Sequence, residues 1–112
     1  PSRPFGKHRV YAIAFDLTVE VLKREFGDNH KNCYRDVRRI LEEHGFEGIQ
    51  GSVYFGKQGT TPVDCVLLVQ RLAYELPWFS EAVRDIRMLR IEEENDLRPA
   101  LPQPKLALGL GG

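Results

Sequence analysis

The chain has 112 residues, 42% of them hydrophobic, which is enough for one domain with its own core, although the buried fraction is smaller than in larger proteins. Sixteen Lys and Arg balance sixteen Asp and Glu, excluding a global field that would draw the protein to nucleic acid or an anionic membrane, so any polyanion site must be local. No stretch approaches the roughly 18 apolar residues that span a bilayer and the N-terminus lacks the apolar core of a secretory signal, so the expectation is a soluble, cytoplasmic protein without a membrane partner.

Residues 1–9 carry Arg3, Lys7 and Arg9 for a charge of +3, and residues 23–39 carry six bases against three acids, again +3. Residues 81–98 carry four bases against six acids, or −2. The two cysteines, Cys33 and Cys65, have neither close spacing nor a partnering histidine motif. They read as buried free thiols of a reducing compartment.

Residues 1–8, with Pro1, Pro4 and Gly6, read as a flexible leader. Val10 to Phe15 is a continuous apolar run too short for an ordinary helix, which suits a central strand. Tyr11, Ile13 and Phe15 put bulk on one face, Ala12 and Ala14 leave the other small, and Asp16 ends the run. Val19, Leu22 and Phe26 recur at helical spacing before Gly27-Asp28-Asn29 breaks the pattern. From Lys31 to His44 the stripe Tyr34, Val37, Ile40 and Leu41 predicts an amphipathic helix with a basic solvated face, stopped by Gly45.

Phe46–Gln50 and Ser52–Phe55 predict a hairpin around Gly51. Thr61, Pro62 and Asp64 form a helix-start signature, and the helix to about Leu76 is apolar nearly all round, more than one sheet face needs. After a helical turn within 78–84, Asp85 to Met88 alternates and shifts phase at Leu89 and Ile91, which predicts a bulge there or a strand leaving one sheet to join another. Residues 97–112, rich in Pro and Gly, read as a tail, leaving residues 9–96 as the domain. Strand, helix, strand, strand, helix, strand is most economically an α+β, ferredoxin-like β-α-β-β-α-β sandwich. The all-round apolar helix and the phase slip both ask for a second surface, which predicts a homodimer.

Tyr11-Ala12-Ile13-Ala14-Phe15-Asp16-Leu17, His44-Gly45-Phe46-Glu47 and Gln50-Gly51-Ser52-Val53-Tyr54-Phe55 closely resemble the virulence-associated protein D family, VapD. Trp78-Phe79 and Val83 to Arg87 also fit, so the resemblance covers residues 9–94. A weaker likeness links the chain to the small CRISPR-associated ferredoxin-like nucleases of spacer acquisition. The VapD resemblance implies an endoribonuclease, in some bacteria the toxin of a toxin–antitoxin pair, and hence RNA as substrate and an antitoxin protein as a further partner.

Both families imply a homodimer in which Asp16 faces its symmetry mate and shares a divalent cation, Mg²⁺ or Mn²⁺, with Ser52 nearby as a second catalytic candidate. The CRISPR-associated relatives often carry arginine two positions before the glutamine, where this chain has Gly48, and that departure weakens any transfer of their phosphate contacts.

Taken by itself, Asp16 would ordinarily cap the next helix or accept turn amides. Ser52 at a hairpin corner is ordinary turn chemistry. Arg35, Arg38 and Arg39 are candidate RNA-backbone contacts against the reading of a solvated basic face, and Tyr54 is a candidate base-stacking residue against simple packing. His8, His30 and His44 have no metal-ligand spacing. The competing reading from a different class is a non-catalytic dimer that holds nucleic acid or protein on the same scaffold.

Overall fold

The computed structural model describes residues 10–102. Strand β1 is Val10–Leu17, followed by α1 (Val19–Phe26), α2 (Asn32–Glu43), the hairpin β2 (Phe46–Gln50) and β3 (Val53–Gly56), α3 (Pro62–Glu75), the short α4 (Phe79–Ala82) and β4 (Val83–Ile91). Single 3₁₀ turns occupy Gly27–Asn29 and Arg98–Ala100. The strands form one four-stranded sheet in the order β2-β3-β1-β4, with every neighbouring pair antiparallel. The result is an α+β domain compatible with the ferredoxin-like arrangement expected from the sequence. The leader expected at residues 1–8 lies outside the described residues, as do residues 103–112 of the expected tail.

Strand alternation explains where the core lies. Ile13, Phe15 and Leu17 point to the face that the helices cover, where they meet Val37, Ile40 and Leu41 of α2 and Cys65, Leu68 and Leu72 of α3. Each such aliphatic side chain contributes about 1.5–3 kcal/mol by leaving water. Phe79 of α4 sets its ring edge against Phe15 at 6.2 Å. Trp78 meets Phe26 of α1 at 5.5 Å, which ties both short helices to the end of β1.

The sequence boundaries needed three corrections. Pairing carries β1 past Asp16 to Leu17, so the acid sits inside the strand rather than at its end. Ser52 belongs to the turn, and β3 begins at Val53. The bulge predicted at Leu89 is absent: β4 keeps regular register with β1 from Asp85 to Ile91. The apparent phase slip has another cause. Ile86 and Met88 pair with the core-facing Phe15 and Ile13, whereas Leu89 and Ile91 pair with Ala12 and Val10 on the opposite face, so both faces of β4 are apolar.

The start of α3 follows its signature. Thr61 Oγ1 accepts from the Asp64 N–H at 3.1 Å and Asp64 Oδ2 accepts from the Thr61 N–H at 2.9 Å, forming a capping box with Pro62 at the first helical turn. Its apolar surface divides: Cys65, Leu68 and Leu72 are buried, while Val63, Val66, Leu67 and Tyr74 face outward.

Candidate active site

The site around Asp16 is built by a register fault. Asp16 pairs with Asp85, but the next pair is Leu17 with Val83, so Arg84 is the extra residue of a β-bulge in β4. A bulge re-aims the side chains of its strand. Arg84 consequently reaches the Asp16 carboxylate, donating from Nε at 3.1 Å and from Nη2 at 3.0 Å, both to Oδ2.

Directly paired residues share a face, so Asp85 lies beside Asp16 on the side of the sheet away from the helices. Arg87, two residues on, holds Asp85 by an Nε–Oδ2 contact of 2.9 Å, and Asp85 raises the Arg87 pKa through that hydrogen bond. Two carboxylates and two guanidiniums therefore sit together, balanced in charge. The Thr18 N–H donates to the Ala82 carbonyl at 2.7 Å and fixes the end of β1 against α4, immediately before the bulge.

A groove of about 450 Å³ opens at the hairpin turn, lined by Tyr34, Arg35, Arg38, Gly51, Ser52 and Tyr54. Gly51 supplies the left-handed turn conformation, with φ of +50°. The Ser52 carbonyl accepts from the Phe15 N–H at 3.1 Å, so the groove begins one residue from Asp16. Four of the residues singled out from sequence, Arg35, Arg38, Ser52 and Tyr54, thus come together here.

Tyr54 is only 4% exposed, and its ring stacks on Phe15 at 6.0 Å, so it offers the groove its hydroxyl edge and keeps its ring face in the core. A side chain at Gly48, the cross-strand partner of Tyr54, would come within 3.2 Å of that ring, which is why glycine suits this position. Hydrogen bonding to Tyr54 raises the Arg38 pKa.

Arg39 stands apart from the hairpin groove, pairing with Glu43 at 3.5 Å in an adjoining depression shared with Arg35, Arg38 and Glu42. Tyr34, read from sequence as part of the core stripe, is 37% exposed and lines the groove instead. Burial, and then the charge of Asp16, raise its phenol pKa. Cys33 takes its place in the buried stripe of α2.

The chain is similar to known proteins. Endoribonuclease VapD 2 of Riemerella anatipestifer is 48% identical over 93 residues, which is 82% of this chain and 99% of that protein. The Endoribonuclease VapD homolog of Helicobacter pylori is 48% identical over 92 residues, covering 82% of this chain and 96% of the relative. This chain belongs to the VapD family. An Endoribonuclease VapD, also of Helicobacter pylori, is 40% identical over 89 residues, with 78% of this chain and 93% of the relative covered. No family model matches the sequence.

The VapD assignment leaves a larger groove of about 710 Å³ unexplained, since its lining of His44, Lys57, Leu67, Arg71 and Tyr74 includes none of the residues above. The smaller groove is linked to the neighbour of Asp16 by the Phe15–Ser52 hydrogen bond. Sequence reading missed Arg84, Asp85 and Tyr34 as site residues. The adjacency of Val83-Arg84-Asp85 to the strand's start was the available signal, but only the register shows which carboxylate they face. His30 and His44 direct Nδ1 at the Gly27 and Ile40 carbonyls, at 3.0 and 2.8 Å. Among the described residues no three His, Cys, Asp or Glu side chains converge as a metal site, and no helix is long and apolar enough to cross a membrane.

Proposed function

We propose that the protein is a VapD-type endoribonuclease that works as a ferredoxin-like homodimer and cleaves RNA at Asp16. The observation that carries this reading is the Asp16–Asp85 pair on the uncovered sheet face of a chain whose relatives are named as endoribonucleases. The same face carries Val53, Phe55, Leu89 and Ile91 around Ala12 and Ala14, an apolar surface continuous with the site. A second copy packed there brings its own Asp16 toward the first, because a two-fold contact presents one patch to itself.

The donor set fits a hard cation. Arg84 engages only Oδ2 of Asp16, and the pair is exposed at 68% and 56%, so opening it costs little. Asp16 and Asp85 would hold Mg²⁺ or Mn²⁺, which take carboxylates together with water and substrate phosphate. When bound, the ion supplies charge at the scissile phosphate and a more acidic water. The hairpin groove holds the RNA backbone beside this point: Arg35 and Arg38 meet phosphate, Ser52 and Tyr34 offer hydroxyls, and neutral overall charge makes the grip modest. A toxin role with an antitoxin partner accompanies this activity, and growth arrest on expression, relieved by the antitoxin, is its expected sign.

The test is purified protein on total RNA, with Mg²⁺ or with EDTA, beside Asp16→Asn. Cleavage that needs the cation and falls by at least about 100-fold in the variant, with an unchanged melting midpoint, is expected. Cleavage in EDTA leaving a 2′,3′-cyclic phosphate would instead make Asp16 the base for the ribose hydroxyl. Wild-type rates in Asp16→Asn would favour the non-catalytic dimer.

A further inference from the structure

We propose that Arg84 is a catalytic residue of this nuclease: it covers Asp16 in the free protein and turns to the scissile phosphate when RNA binds. The inference rests on the reading of Asp16 given above. Its own support is the bulge. A regular strand would place Arg84 and Asp85 on opposite faces, yet Arg84 reaches Asp16, the cross-strand partner of Asp85. The side chain is thereby brought onto the face of both acids.

The chemistry of the group suits the move. A guanidinium presents five donors, and Arg84 points Nε and Nη2 at one oxygen of Asp16, leaving a further edge of the fork for a second anion. Because the pair is exposed, the exchange of carboxylate for phosphate is nearly balanced in energy. A planar fork matches phosphate oxygens in bidentate fashion. It also stabilises the charge that gathers on the non-bridging oxygens in the transition state, and Asp16 is released as the arginine leaves it. Arg87, held by Asp85, stays in place as the neighbouring counter-charge.

The experiment compares Arg84→Gln, Arg84→Lys, Arg84→Ala and Asp16→Asn in full-length protein, with a defined RNA oligonucleotide as substrate and with RNA affinity measured separately in EDTA. We expect Arg84→Gln to lower kcat by about 100-fold, as loss of a transition-state donor does, and to weaken RNA binding in EDTA. Arg84→Lys should retain more activity than Arg84→Gln, and added guanidinium ion should partly restore Arg84→Ala. The melting midpoint should not move, since an exposed pair holds little stability.

A wild-type kcat in Arg84→Gln, or a rate that rises, would show that Arg84 only screens Asp16 and would overturn the proposal. So would a loss in Arg84→Ala that guanidinium does not restore. If Asp16→Asn is inactive while Arg84→Gln is not, the Arg84 assignment fails alone. If Asp16→Asn cleaves at the wild-type rate, the reading of the site fails and takes this proposal with it.

Discussion

The two faces of the sheet obey different rules. On the covered face, Ile13, Phe15, Leu17 and Tyr54 fill space against α2, α3 and α4, and none carries a charge. On the open face the same strands present Ala12 and Ala14 flanked by Val53, Phe55, Leu89 and Ile91, with Glu47 beside Phe55 and, around Asp16, two acids and two arginines. The first face is where stability is made. On the second, Leu89 stays exposed and Val53 and Phe55 are only half-buried.

That contrast can be broken most forcefully from the covered side. Phe79→Ala removes a ring that is 2% exposed and touches both Phe15 and Trp78, and should cost about 3–5 kcal/mol in a urea melt. Any loss of RNA cleavage should then follow the unfolded fraction. On the open face, Leu89→Asp should leave the urea midpoint nearly unmoved and shift the mass by light scattering from two copies to one. Equal damage to folding would mean that the open face belongs to the core.

Smaller changes sharpen the picture within the basic helix. Arg38→Ala should raise KM several-fold, because it removes a cation from the hairpin groove. Arg39→Ala, whose partner is the exposed Glu43, should change KM less than two-fold. Thr61→Ala should cost about 1 kcal/mol of stability by removing half of the capping box, with no effect on cleavage.

The least effect belongs to the thiols. Burial raises the pKa of both Cys33 and Cys65, so their contribution to stability is full below the unfolded-state thiol pKa and lost as pH rises through the folded value. A mild alkaline loss of stability should appear, together with alkylation that is slow until the protein unfolds.

Much of the covered face was legible in the sequence because periodicity reports burial directly. The stripe Val37, Ile40 and Leu41 and the cap at Thr61 needed no tertiary information. The site was legible only in part. Asp16 could be singled out through the VapD resemblance, since its place after an apolar run alone indicates ordinary capping, but its neighbours could not, since Arg84 and Asp85 lie 68 and 69 residues further along the chain and reach it through a register fault that neither strand shows alone. Tyr34 was misplaced for a related reason. A tyrosine at core spacing can leave its hydroxyl end in a groove, and helical periodicity cannot separate that from full burial.

At the opposite edge of the sheet, β2 carries its own fault: Gly48 pairs with Tyr54 and Gln50 with Val53, leaving Ile49 as an unpaired extra residue. A five-residue edge interrupted in this way gives an incoming strand no continuous run of amides and carbonyls to dock against. Growth by strand addition is hindered on that flank. The irregular β2 edge thereby acts as a guard against edge-to-edge aggregation on that side of the sheet.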